Sequence, residues 1–512
     1  MTGAGKYRFF LLTVWLLTIP GVSQAFEFED VIRKAQKLAE AGYVAPEPVP
    51  QFLRDLTYSQ HEAIRFRTDS SLWHESGSRF QVSMIPPGNF YSHAVGLNVV
   101  DQEGVHNVPF QKDEFVYPNE DLQTRVPADL GFAGFELTYP LENPDARDQF
   151  LVFGGASYFR GTGAGQQFGL SARGVAINTG LPSGEEFPSF TEFWLVRPSP
   201  KASSMVVYAL LDGPSLTGAY QFIITPGEKT RIEAKATLFF RNNVQQPGLA
   251  PLTSMFYYGE NSLKPLGEWR PEVHDSDGLL IHDGATGEWL WRPLENPKKL
   301  RLSYHQVQNL QGFGLMQRDQ SFQSYEDNKL RYERRPSTWV EADQSWGSGN
   351  VVLVEIPTGS EDNDNIVAFW TPDKTVKKGD SIKLNYTLVF GQPDIASEPT
   401  GHVAQTFVGR NDRSSSNKDA YRFVVDFEGD KLSALKPNAA VVSSVSSGET
   451  GEVLEHFVQY VEATKAWRLS FLARPEANKA LSLRGFLSLD GKPLTETWTY
   501  ELGADNELRK QP

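Results

Sequence analysis

The chain has 512 residues, a formal charge of −14, 12% aromatic residues and no cysteine. The acid excess excludes a surface that attracts phosphates, so nucleic acid is not expected as a partner. The missing thiols exclude disulfide staples and thiolate catalysis, and the length allows two or more domains with ample cores.

At the start, Lys6 and Arg8 precede an apolar run from Phe9 to Pro20 and then Ser23, Gln24 and Ala25. That order predicts a secretory signal over residues 1–25, cleaved before Phe26; it has no arginine pair, so the general Sec-type route is expected. Phe28, Val31, Ile32, Ala35, Leu38 and Ala39 recur at helical spacing and predict a short N-terminal helix capped by Gly42. A second short helix is expected over Gln51–Leu56. From there alternation dominates, as in Ile232, Ala234, Ala236, Leu238 and Phe240, and again in Ile382, Leu384, Tyr386, Leu388 and Phe390. Turns rich in Gly and Pro between such runs predict antiparallel pairing and an all-β fold, with a large N-terminal β-sandwich over residues 26–390. Residues 391–402 are polar and turn-forming, which predicts a linker. The remainder, 403–512, alternates again and suits a small immunoglobulin-like sandwich. Within it the polar segment Gly409–Tyr421 is expected to be a loop.

The stretch Glu355–Pro372 sets Glu361, Asp362 and Asp364 in a loop between two strand-like runs. Crowded carboxylates raise one another's pKa, as a general acid near neutrality requires, although a solvated turn uses the same residue types. A second acidic stretch, Arg270–Gly284, brings Asp275 and Asp277 between His274 and His282. Its spacing matches no tight ligand motif, so no metal is expected, and no cofactor either. The run Ala164–Pro188 carries Arg173, Glu185 and Glu186 but lacks the Lys-Ser/Thr ending of a phosphate loop, and Ser171 and Ser183 lack a nucleophile elbow. Trp269, Trp289, Trp291, Tyr325, Trp339, Trp346 and Trp370 offer flat rings for sugars or for a core. Arg173, Arg270 and Arg292 either bond sugar hydroxyls, orient the acids, or form structural pairs.

The segments DLGFAGFELTYPL (129–141), GASYFRGTGAGQQFGLSARGVAI (155–177), LPSGEEFPSFTEFW (181–194), RPEVHDSDGL (270–279), WLWRPLENP (289–297) and NDNIVAFWTP (363–372) resemble the osmoregulated periplasmic glucan biosynthesis proteins of the G and D type. The likeness covers essentially all of the chain after the signal, and the signal type makes it more similar to the G branch. The resemblance implies a periplasmic protein whose large sandwich is related to those of sugar mutarotases and polysaccharide lyases. It implies a β-1,2-linked glucan as ligand and inverting hydrolysis of its backbone, with Asp364 as general acid, Glu361 in its proton network and Asp275 as the second catalytic carboxylate. Arg173, Arg270, Asp277, Trp291 and Trp370 are the expected substrate-binding side chains, and Asp277 competes with Asp275 for the role of base. A non-catalytic glucan-binding scaffold that assists a membrane glucosyltransferase is the alternative. A homodimer in which the 409–421 loop overhangs a neighbour's cleft stays open.

Overall fold

Strict alternation of buried and exposed positions builds the centre of the molecule, and the computed structural model describes residues 1–2, 26–396, 401–411, 417–506 and 508. The expected signal falls outside the described residues except for its first two, as do residues 397–400 of the expected linker and 412–416 of the expected loop.

In the strand Thr230–Phe240, Ile232, Ala234, Ala236, Leu238 and Phe240 are buried, while Arg231, Glu233 and Lys235 point outward. It pairs antiparallel with Leu216–Thr225 on one side and Ser381–Gly391 on the other, in a register that keeps the apolar sets on one face. These strands lie in a fifteen-stranded sheet that faces a ten-stranded one. Rings fill the space between them. Phe153, from the ten-stranded sheet, has its centroid 5.1 Å from Phe159 beside it and 5.4 Å from Phe222 opposite. The all-β sandwich expected from the sequence is therefore observed.

The N-terminal helix Phe28–Glu40 covers the outer side of the larger sheet, burying Val31 and Ala35 against Trp194, Tyr208 and Ala219. Its end differs from expectation. Ala41 leaves the helix in an extended conformation and Gly42 takes no left-handed φ. Instead the Arg241 guanidinium donates to the carbonyls of Leu38 (2.6 Å) and Ala41 (3.1 Å), satisfying the helix terminus from the sheet.

The C-terminal part packs the four strands His402–Arg410, Tyr421–Glu428, Ala466–Pro475 and Gly451–Val461 against Val442–Ser447, Leu481–Leu489 and Thr497–Leu502. Phe423, Phe471, Trp498 and Tyr500 form its core. The two sandwiches are joined by more than a linker. Thr497–Leu502 pairs in parallel with Glu288–Pro293, so one sheet runs through both. Below that seam, Arg292 and Arg301 bind the buried carboxylates Glu295 and Glu355, and the Tyr500 hydroxyl donates to Glu295 at 2.8 Å.

Candidate active site

In the ten-stranded sheet, Tyr158–Gly161, Ser171–Arg173, Pro247–Ser254 and Ile366–Pro372 are successive neighbours. Phe159 and Ala172 point into the core, so Tyr158, Arg160, Ser171 and Arg173 share the opposite face. Asp364 stands where the chain enters Ile366–Pro372. Its position is fixed by the next residue, the buried Asn365. The Asn365 side-chain Oδ1 accepts from the Phe256 amide at 2.8 Å, and its side-chain NH2 donates to the Phe256 and Ile356 carbonyls, each at 3.0 Å. Asp275 is hung from the same region, its amide donating to the Met255 carbonyl at 2.8 Å while Ser276 and Ser254 hydroxyls meet at 2.8 Å.

The Asp364 carboxylate lies 3.6 Å from the Arg160 guanidinium and keeps 37% of its side chain exposed. Its pKa is nonetheless raised, first by burial and also by the charge of Asp275, against the lowering pull of Arg160 and Arg335. Asp275, 4% exposed, is ion-paired with Arg335. The Arg335 guanidinium stacks 4.1 Å above the Tyr332 ring, and the Tyr332 hydroxyl donates to Glu361 at 3.0 Å. Glu361 also accepts from Arg270 at 2.6 Å, and Arg270 in turn binds Glu268 (2.8 Å) and Asp327 (3.2 Å). Hydrogen bonds from Arg270 hold Glu268 down at about 2. The structure thus brings Asp364, Asp275 and Glu361 into one charged assembly linked by Arg160, Arg335, Tyr332 and Arg270.

The remaining expected site residues fall differently. Asp277 faces away from this assembly. Its carboxylate accepts from the backbone amides of Arg318 and Asp319 and sits 3.2 Å from His274, a set of partners separate from the Arg335 pair of Asp275. Trp291 and Trp370 are 3% and 2% exposed and belong to the cores, where Trp291 lies under Arg318 and Trp370 against Trp346; neither ring is free to stack on a sugar. Trp289 and Trp339 stack on each other in the same way, whereas Trp269, next to Arg270, is 64% exposed. Arg173 is 2% exposed, bonded to Glu185 at 2.8 Å and stacked between Tyr158 and Phe187, so its guanidinium is already engaged within the protein. Arg292 belongs to the seam between the sandwiches. Arg160, Tyr332 and Arg335 escaped sequence reading. The Tyr158/Arg160 alternation and the basic run Arg331–Arg335 were the available signals.

Among the described residues, Glu272, His274 and Asp319 bring potential ligand atoms within 4.8 Å of one another, as do Asp101, Glu103 and His106 on the surface. Both His274 nitrogens already have partners, Gln317 and Glu272, each at 2.9 Å.

Residues 26–502 match the model of the family described as periplasmic glucan biosynthesis protein, MdoG. The chain is 43% identical over 490 residues to glucans biosynthesis protein G of Dickeya dadantii (strain 3937), covering 94% of each. A solved structure, Slr1438 protein from Synechocystis sp. PCC 6803, aligns over 69% of this chain and 100% of its own at 10% identity and a TM-score of 0.16, a likeness too low to carry any argument. On sequence, then, the chain belongs to the MdoG family of periplasmic glucan biosynthesis proteins.

Proposed function

We propose that the protein acts in the periplasm on the β-1,2-linked backbone of a glucan, cleaving or remodelling it by inverting hydrolysis. One observation carries this reading: Asp364 stays partly open to water yet has its pKa raised by burial and by the charge of a second carboxyl, Asp275, that is bound to a cation. Inversion requires one protonated carboxyl to donate to the leaving oxygen and a basic group to take a proton from water on the other side of the sugar. Asp364 fits the donor. Asp275 fits the acceptor, and Glu361, reached through the Tyr332 hydroxyl, extends the proton network. Arg160 and Arg335, both of which favour the ionised form of Asp364, would stabilise the carboxylate left there once its proton has passed to the leaving oxygen.

The experiment is incubation of the mature protein with linear β-1,2-glucan, following product length and anomeric configuration. The expected result is shorter chains whose new reducing ends have the opposite anomeric configuration to the linkage. Asp364→Asn should reduce the rate at least a hundredfold, in line with loss of a general acid, while leaving the circular dichroism spectrum unchanged (roughly 10²–10⁴-fold for such groups). A purified Asp364→Asn protein that cleaves at the normal rate would falsify the assignment.

The name of the 43%-identical relative, which speaks of biosynthesis, favours a second reading. In it the same face binds glucan without cutting it and hands the polymer on from a membrane glucosyltransferase. Tight binding with chain length unchanged over long incubation is its signature.

A further inference from the structure

The turn Gly88–Tyr91 is closed by two backbone hydrogen bonds between its end residues, each 2.9 Å. Asn89 takes a left-handed φ of 49°, and its amide N–H is pinned to the Leu53 carbonyl at 2.8 Å. At the tip of this fixed turn, Phe90 is 82% exposed. A lone exposed ring needs no explanation. Its setting does, because Phe90 rims a recess of about 170 Å³ whose walls include Tyr91, Ser92, His93, Tyr158 and Thr191.

No Asp, Glu, Lys or Arg side chain lines that recess, although the chain as a whole carries a formal charge of −14. Burial lowers the pKa of His93 below its ordinary 6.5, so its ring is neutral at pH 7. Aromatic faces and hydroxyls without formal charge suit an uncharged pyranose, whose C–H faces stack on rings while its hydroxyls find partners. The floor is shaped to admit the Tyr91 ring. A Cβ at Gly154 would come within 3.1 Å of it, and Ala156 holds a left-handed φ of 42°, a strained backbone of the kind found at ligand clamps.

One strand, Tyr158–Gly161, serves both the recess and the acid assembly. Tyr158 forms part of the recess wall, and Arg160, two residues on along the same strand face, contacts Asp364. Tyr91 also lies within the field of Arg160.

We propose that this recess is a glucosyl subsite, holding one sugar unit of the glucan chain some way along from the bond at Asp364. The proposal rests on the glucan reading above. Its test is calorimetric titration of the Asp364→Asn protein with linear β-1,2-glucan oligosaccharides of graded length, since that variant leaves the ligand uncut. Adding Phe90→Ala should weaken binding of the longest chains on the order of tenfold, the size of effect expected from truncating a contact ring, with a smaller loss as the chains shorten. Phe90→Trp should restore it. Because Phe90 is 82% exposed, its truncation leaves the core intact. Equal affinities with and without Phe90 at every length would overturn the subsite while the glucan reading stands. Failure of the Asp364→Asn protein to bind glucan of any length would overturn both.

Discussion

Asn365 and Asp364 are adjacent and do unrelated work. The first is buried and locks two loops together; the second is left half open beside Arg160. The arrangement makes Asp364 sensitive to its neighbours in a way that can be measured. A general acid works only while protonated, so activity falls as pH rises past its pKa in the folded protein. Arg160 lowers that pKa, whereas Asp275 raises it. Replacing Arg160 by Gln should therefore move the alkaline limb of the kcat/KM profile to higher pH, and Asp275→Asn should move the alkaline limb of whatever activity remains to lower pH. A pH profile of each variant against the unaltered protein checks both signs. The acidic loop was legible in the sequence, but the cause of the raised Asp364 pKa was not: burial and Asp275 from another stretch supply it, rather than Glu361 and Asp362 beside it in the loop. The tryptophans were not legible, since the same ring serves a core or a sugar and only burial decides. Nor was the division between Asp275 and Asp277, because they lie just outside regular strand and the turn alone sends one to Arg335 and the other to His274.

Among the elements, strands with one wet face were readable and strands buried on both faces were not. Thr230–Phe240 announces itself by alternation. Pro247–Ser254 is buried at all eight positions and shows no period, yet Met255 and Phe256, directly after its end, brace both acid loops. The seam was hidden for a related reason, as its ionic groups are scattered along the sequence. Glu355 ends the strand Gly349–Glu355, is fully buried, and accepts from the Glu295 amide at 2.8 Å and from the Arg301 Nε at 2.7 Å. Glu355→Gln keeps the shape but strands Arg292 and Arg301 with one carboxylate fewer. Breaking a buried pair from one side costs about 3–5 kcal/mol, which should appear as a lower urea midpoint with the slope unchanged.

For the whole molecule, the contact between the sandwiches depends on protons. Glu260, Glu272, His274, Asp277, Asp319 and Tyr325 crowd one side of it, with Arg318 committed to Glu496. From the other side the Thr406 amide donates to Glu260 at 2.9 Å and Gln405 donates to Asp319 at 3.0 Å. Burial, then neighbouring acids, raises the pKa of both Glu260 and Asp319. Burial alone would lower that of His274, but its hydrogen bond to Glu272 and the charge of Asp277 override it and push it up to about 10 from 6.5. All three hold more protons folded than unfolded, so stability falls with rising pH. The histidine contribution is complete below 6.5 and lost as pH rises through about 10, and the two acids lose theirs progressively above the ordinary carboxylate range. The melting temperature should fall steadily from pH 6.5 to 10, less steeply in Asp319→Asn. The shared sheet has a different consequence, for how the chain is made. Trp291 and Thr499, hydrogen-bonded across the parallel seam, lie 208 residues apart along the chain. As the chain is made, the edge formed by Glu288–Pro293 emerges long before the strand that seals it, an open template for neighbouring polypeptides. The time for which that edge waits unpaired, rather than the speed of local folding, then governs how much of each new copy escapes aggregation.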